Sequence, residues 1–361
     1  MTASSHGGHP GPRDYSKVPL VVTWETSRAC KLACDHCRAE ATPERHTQEL
    51  TGDEARELFE SVASFSPTPF LVLSGGDPLQ RDDVFDLLET AVDVGVTPSI
   101  TPATTAQLTR DVIERFADIG VGRMALSLDG GSPETHDGFR GERGTFETAI
   151  EAAAHARDVG LPIQINTTVT ARTVDELPAV ADIAAEYSAA MWEVFFLVPV
   201  GRGEALEQLF PQQARETMRW LYRHARKQPY RVITVEAPFY RRVAHEIDRE
   251  DGRPRGHAGS TGAGNGFVFV SHTGEVFPSG FLSRSVGNIR ETSLQKLYRE
   301  APLMRRLRER SSFDGPCGDC PMTDACGGSR SRAYATTGNP FGSDPLCPWA
   351  AERGTESGMP G

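Results

Sequence analysis

Seven cysteines fall in two clusters at opposite ends of the chain, and no other feature narrows the possible folds as much. Cys30, Cys34 and Cys37 form one cluster, and Cys317, Cys320, Cys326 and Cys347 the other. Spacings of two and three residues suit a shared metal centre better than a disulfide framework. Three thiolates on one loop hold a centre from one side and leave a position open to another ligand. A structural zinc site instead closes with four protein ligands, and the nearest fourth candidate, His36, lies between two of the cysteines. Thiolates also hold iron–sulfur clusters.

Between the clusters, a unit of strand, loop and amphipathic helix recurs about six times from Leu20 onward, the pattern of parallel strands joined by crossover helices. The expected strands are Leu20–Trp24, Phe70–Ser74, Thr97–Thr101, Arg123–Leu128, Pro162–Val169 and Glu193–Val198. Apolar residues at helical spacing, Ala55, Leu58, Phe59, Val62 and then Val84, Leu87, Leu88, Ala91, mark core-facing helices. Thr51 with Glu54, and Thr173 with Glu176, have capping-box spacing. The fold class is therefore α/β, a partial (β/α)6 barrel with its active face at the C-terminal strand ends.

The rhythm breaks past Arg231. Residues 1–17 read as a disordered leader whose His6 and His9 are solvated, 18–230 as the barrel, 231–262 as a charged, glycine-rich linker or insertion, 263–350 as a second domain, and 351–361 as a tail. The second domain should hold a hairpin, Phe267–Val270 with Glu275–Pro278, a helix from Ser293 to Arg308, and then the second cysteine cluster. Arg305, Arg306, Arg308 and Arg310 read as a solvated helix face.

Composition excludes whole classes of function. With 361 residues and 38 % apolar content the chain can bury a core. A net charge of −11 argues against a sequence-independent grip on nucleic-acid phosphate. Neither a membrane-spanning run nor a signal-peptide core is present, so a cytoplasmic protein is expected.

Cys30-x3-Cys34-x2-Cys37 resembles the signature of radical S-adenosylmethionine enzymes, in which three cysteines hold a [4Fe-4S] cluster and the cofactor's methionyl amine and carboxylate chelate the fourth iron. The resemblance spans about residues 18–350 and continues at successive strand ends. Ser74-Gly75-Gly76-Asp77-Pro78 is similar to the family's Gly-Gly-Glu-Pro motif, with Asp77 in place of Glu. Ser127, Asp129, Arg140, Asn166 and Val198 stand where the family places cofactor contacts. The resemblance implies S-adenosyl-L-methionine as cofactor and no catalytic residue beyond the cluster and that cofactor. The second cluster resembles the SPASM extension: Cys317, Cys320, Cys326 and Cys347 match one auxiliary [4Fe-4S] site with four protein ligands. Thr261, Ser279 and Arg330 stand where a further site would take cysteines, so one auxiliary cluster is expected, with electron transfer its natural role. A zinc staple is the structural alternative.

Gly287-Asn288-Ile289-Arg290, the stretch from Cys326 to Ala335 and Asp344-Pro345-Leu346-Cys347 look most like the branch that remodels iron porphyrins in haem and haem d1 synthesis, although Ser329 replaces that branch's usual cysteine. The implied reaction is radical hydrogen abstraction from an iron porphyrin, leading to oxidative decarboxylation or side-chain removal, with an external one-electron donor such as ferredoxin or flavodoxin. Arg202, Arg241, Arg242 and Arg332 are candidates to pair with propionates. One rival is a maturase of ribosomally made peptides, although the stretch before the first strand is short for a fused peptide-recognition domain. The other is a non-enzymatic iron–sulfur or zinc module, which would need no nucleoside pocket.

Overall fold

The strands alternate an apolar face with a polar one, and that alternation builds the molecule. In the computed structural model, which describes residues 13–254 and 261–356, seven parallel strands follow one another in chain order: β1 (Val21–Ser27), β2 (Phe70–Gly75), β3 (Pro98–Ile100), β4 (Arg123–Ser127), β5 (Ile163–Val169), β6 (Met191–Phe196) and β7 (Arg231–Val235). Val22, Trp24, Leu71, Leu73, Met124, Leu126, Ile163, Ile165, Trp192 and Val194 are all buried against the helices. Their alternate neighbours Ser74, Ser127, Asn166 and Glu193 remain partly accessible on the other face. A parallel sheet with both faces covered would be apolar on both, so the polar inner face belongs to an open barrel.

The helices form as their periodicity requires. Ala55, Leu58, Phe59 and Val62 of the helix Gly52–Ala63 are buried, as are Val84, Leu87, Leu88 and Ala91 of Val84–Asp93. Thr51 and Glu54 close the expected capping box. Thr173 and Glu176 do not. The Thr173 hydroxyl donates to the Thr168 carbonyl at 2.8 Å, and the Glu176 carboxylate accepts the Gly131 N–H at 2.8 Å, shaping the loop after β4.

Residues 231–250, expected in a linker, instead supply β7 and the helix Tyr240–Glu250. The helix hides a narrow apolar stripe, Val243 and Ile247, beneath charges that pair with the helix Pro211–Ala225 through Arg215–Glu246 and Arg219–Glu250. Those interhelical charges are what made the segment read as a linker. Residues 13–17 are likewise built into the fold, with the Tyr15 carbonyl accepting the Tyr298 hydroxyl at 2.5 Å, whereas His6 and His9 lie outside the described residues.

The C-terminal part joins the same sheet. β8 (Gly262–Ala263) pairs with β9 (Gly266–Val270), which lies parallel to β1; β10 (Glu275–Phe277) and β11 (Gly287–Asn288) extend the sheet antiparallel. The helix expected over 293–308 is two, Leu294–Glu300 and Pro302–Arg308, because Pro302 has no N–H to continue the first. Arg305 and Arg306 are exposed, but Arg308 donates to the Gly264 carbonyl at 2.8 Å and Arg310 to those of Thr323 and Asp324, so these two do not belong to a solvated face.

A buried strut fixes the cysteine-rich end to the barrel. Arg332 has no solvent exposure; it donates to the Phe196 and Leu197 carbonyls at the end of β6 and pairs with Asp344 at 3.2 Å. Removing one partner of such a pair leaves an uncompensated buried charge. Arg332→Met should therefore lower unfolding free energy by about 3–5 kcal/mol, measured by denaturant titration of metal-free protein; a loss under about 1 kcal/mol would show that the strut is dispensable.

Candidate active site

The first cysteine loop leaves β1 at the C-terminal rim of the barrel. Cys30 and Cys34 are buried, Cys37 is partly exposed, and all seven cysteines are free thiols. Backbone N–H groups already aim at sulfur: Leu32 at Cys30 Sγ (3.4 Å) and Ala41 at Cys37 Sγ (3.5 Å), while Arg140 Nη1 lies 3.7 Å from Cys34 Sγ. Burial pushes the Cys30 thiol up to about 11 and raises that of Cys34. A metal centre reverses that penalty, since a coordinating thiol is deprotonated outright. Among the described residues no three His, Cys, Asp or Glu side chains converge tightly enough for a single metal ion. A multi-iron cluster spreads its ligands around its own iron and sulfide core, and three thiols, two of them buried and each facing an N–H donor, fit that group.

Neighbouring strand ends hold the loop. The Gly76 and Asp77 N–H groups donate to the Ser27 and Ala29 carbonyls at 2.8 and 2.7 Å. A Cβ on Gly76 would sit 2.4 Å from the Ala29 carbonyl oxygen, so only glycine permits this approach. Gly201 touches the other side: its φ is +55°, and a Cβ there would lie 2.7 Å from the Cys37 carbonyl oxygen. Arg202 then donates to the Cys34 carbonyl at 2.8 Å and to that of Ala41 at 3.4 Å. The expectation that Arg202 pairs with substrate is corrected, because its guanidinium braces the loop; Arg332 is likewise consumed as the buried strut.

The residues expected around a nucleoside cofactor are brought to one rim, but two carboxylates are already engaged. Asp77 is fully buried and accepts from the N–H groups of Leu79 (3.1 Å) and Ala103 (3.2 Å), fastening the turn that begins with Pro78. Asp129 is also fully buried, pairs with Arg140 at 2.5 Å and accepts the Thr168 N–H at 2.7 Å. Burial alone would raise the Asp129 carboxyl, but Arg140 holds it below its ordinary value. These two side chains position their neighbours rather than offer free carboxylates to a ligand. Ser127 at the end of β4 and Asn166 in the middle of β5 are register partners, both partly accessible; Val198 is buried just beyond β6.

The second cysteine set lines one cavity with Phe239 and Trp349. Its sulfurs also meet N–H donors: Met322 to Cys320 (3.4 Å), Gly328 to Cys326 (3.5 Å), Asp344 to Cys317 (3.5 Å), and Arg330 Nη2 to Cys317 (3.7 Å). Burial pushes Cys326 up to about 11 and Cys347 up to about 12, again the state a metal centre would relieve.

Sequence reasoning missed two polar nodes at this rim. Glu25 of β1 is buried and bound by Arg38 and by His272, each at 2.7 Å, linking the first strand, the cysteine loop and the turn after β9. A charged residue within an otherwise buried strand was the available signal. Glu236, just beyond β7, accepts the hydroxyls of Ser279, Ser329 and Ser331 at 3.1, 2.5 and 2.8 Å. Nothing in the local sequence marks it.

Comparison with known proteins places these features in context. The family model of the radical SAM superfamily matches residues 24–184. An AdoMet-dependent heme synthase of Methanosarcina barkeri is 36 % identical over 92 % of this chain and 97 % of its own length. Another of that name, from Nitratidesulfovibrio vulgaris, is 34 % identical over 97 % of this chain and 99 % of its own. Among solved structures, Streptococcus suis SuiB bound to S-adenosylmethionine superposes with a TM-score of 0.72 at 18 % identity, covering 92 % of this chain and 78 % of that one, a likeness of fold.

The contact at Gly76 has a direct consequence. Gly76→Ala should displace the cysteine loop and reduce S-adenosylmethionine cleavage by the reconstituted protein at least about tenfold, with the circular dichroism spectrum intact; wild-type cleavage would show that the close approach is unnecessary. Glu25 sets an acid dependence. Burial would raise its carboxyl, but Arg38 and His272 draw it down to about 2 from an ordinary 4.5. The stabilisation is thus present above pH 4.5 and lost as pH falls towards 2. In Glu25→Gln, denaturant-measured stability should fall less steeply across that window than in the wild type.

Proposed function

The chain belongs to the radical SAM superfamily and is an enzyme that uses a [4Fe-4S] cluster with S-adenosylmethionine, and from that premise we propose that it converts propionate side chains of an iron porphyrin to vinyl groups. The observation that carries this reading is end-to-end similarity to AdoMet-dependent heme synthases, 36 % identity over 97 % of one relative's length and 34 % over 97 % of this chain for another, a span that takes in the second cysteine set. When bound, the cluster and cofactor supply an electron and a 5′-deoxyadenosyl radical that takes a hydrogen atom from the substrate. The chain's own residues hold and orient. Cys30, Cys34 and Cys37 are the cluster ligands on this reading, and the backbone of Gly75, Gly76 and Asp77 with Pro78 shapes the edge met by the cofactor's amine. Ser127, Asn166 and Val198 border its nucleoside, with Asp129 and Arg140 bracing them from behind.

Loss of a hydrogen atom, a proton, an electron and carbon dioxide turns a propionic acid side chain into a vinyl group. The electron needs an acceptor, and we assign that role to one auxiliary [4Fe-4S] cluster held by Cys317, Cys320, Cys326 and Cys347. A barrel that runs on through β7 and the helix Tyr240–Glu250, and a cysteine-bearing part that begins at Gly262, would divide this labour. The first electron comes from a soluble donor of the ferredoxin or flavodoxin class. Seven unpaired thiols fit a reducing, cytoplasmic setting, and among the described residues no helix is long and apolar enough to cross a membrane.

Anaerobic reconstitution should load about eight iron atoms per chain as two [4Fe-4S] clusters. With a propionate-bearing iron porphyrin, the protein should then yield 5′-deoxyadenosine and a product lighter by one carbon dioxide and two hydrogens for each converted side chain. Cofactor cleavage that leaves the porphyrin unchanged while cross-linking a candidate peptide would overturn this reading in favour of a peptide maturase.

A further inference from the structure

The two thiol sets sit in opposite electrostatic surroundings. Around the first, the guanidinium on Cys34 belongs to Arg140, whose charge is balanced by Asp129 at 2.5 Å, and the buried Asp77 carboxyl acts on Cys30. Around the second, arginines gather. Arg330 Nη2 lies 3.7 Å from Cys317 Sγ and Arg242 Nη1 4.0 Å from Cys320 Sγ, while Arg241 and Arg310 act electrostatically on Cys326. Asp344 acts on Cys326 and Cys347 in the opposite sense and is paired with Arg332 at 3.2 Å. Glu246 is shared between Arg242 and Arg215.

The backbone is shaped to admit these cations. Gly328 has φ +64°, and a Cβ there would lie 2.5 Å from Arg330 Nη2 and 3.2 Å from Cys317 Sγ. Gly327 has φ +74°, and its Cβ would press on the Arg310 guanidinium at 3.3 Å. Gly328 therefore clears the space between the Arg330 guanidinium and the Cys317 sulfur, and Gly327 makes room for Arg310. Arg330 is buried and held in place by the Pro340 and Gly342 carbonyls at 3.1 and 2.6 Å, with its guanidinium over the Phe313 ring at 4.5 Å. Its orientation is set by the protein before any cluster is present.

We propose that Arg330, assisted by Arg242, is a redox-positioning residue that raises the reduction potential of the second cluster above that of the first. The inference rests on the reading of the second thiol set as an iron–sulfur site. Adding one electron to a four-thiolate cluster makes it one unit more negative, and a fixed cation beside a ligand sulfur stabilises that reduced form more than the oxidised one. The electron given up when a propionate-derived radical loses carbon dioxide to become a vinyl group then passes to the oxidised second cluster, which is reduced by one electron; a soluble one-electron acceptor of higher potential than that cluster, distinct from the donor that feeds the first, reoxidises it. The position that would have carried a cysteine thus carries a charge that serves the remaining cluster.

Potentiometric titration of the reconstituted full-length protein, followed by electron paramagnetic resonance, tests this. The first cluster is identified by the change in its signal when S-adenosylmethionine is added. Arg330→Gln should lower the midpoint of the second cluster by at least about 59 mV, a tenfold fall in its reduced-to-oxidised ratio at fixed potential, with the first midpoint unchanged. Arg330→Lys should recover most of that shift. Arg242→Gln, which removes no hydrogen bond to a backbone carbonyl, should lower it by a smaller amount and decides the matter if Arg330→Gln loses its cluster. Unchanged second midpoints, or equal shifts in both clusters, would overturn the proposal. Iron content near one cluster per chain in the wild type would overturn the underlying reading as well.

Discussion

The approach of the β2 turn to the first cysteine loop is the constraint from which the site follows. A loop carrying three thiols has few apolar side chains to anchor it; here only Leu32, Cys30 and Cys34 form its small buried cluster. Its position therefore depends on backbone hydrogen bonds supplied from outside. Gly76 and Asp77 provide two from the end of β2, Arg202 adds bonds from beyond β6, and Arg38 reaches back to Glu25 of β1. Each charge-assisted bond is worth about 1.5–3 kcal/mol, so the braces together exceed what burial of a few small side chains could provide. Because parallel strands end at the same rim, one loop can be gripped from several strand ends at once.

The repeated strand and helix units were legible because each pattern reports a local cause. Period-two alternation in β1 to β6 and the apolar stripe of the first two helices depend only on which face meets the core. Where the cause was not local, the reading failed. β7 and the helix Tyr240–Glu250 were hidden because their charges are satisfied across a helix pair, Arg215 with Glu246 and Arg219 with Glu250, that no single segment reveals. Thr173 and Glu176 have the spacing of a cap, yet Thr173 turns back to Thr168 of β5 and Glu176 is taken by Gly131 in the distant loop after β4.

The same distinction divides the site. Thiol spacing and the paired glycines are written in contiguous residues, so they could be recognised as motifs. The arginines could not be assigned by residue type, since a guanidinium serves equally as substrate ligand, loop brace or core strut. Arg202 and Arg332 are committed to carbonyls of Cys34, Phe196 and Leu197, and only three-dimensional contacts distinguish those fates. Asp77 and Asp129 are likewise held by contacts that residue type does not reveal: both are fully buried and accept from the N–H groups of Ala103 and Thr168.

Glu236 shows how the molecule closes the region where a further cysteine site would have stood. Its φ of +54° places a non-glycine residue in the left-handed region, which costs about 1–3 kcal/mol. In that conformation its carboxylate accepts from Ser279 on the hairpin side and from Ser329 and Ser331 at the start of the helix Arg330–Thr337. Hydrogen bonds to a charged acceptor contribute about 1.5–3 kcal/mol each, enough for three to offset the strain. Two of those serines occupy positions where cysteines were expected from the resemblance. A thiol is a weak donor, whereas a hydroxyl donates strongly to a carboxylate, so serine at these positions turns a would-be ligand shell into a joint. That joint carries the end of β7 onto the segment holding the second thiol set, and it does so beside the Arg332 strut from β6. The second set is thereby fixed to the same barrel as the first, the arrangement that the proposed electron transfer to a cluster at this second set would require.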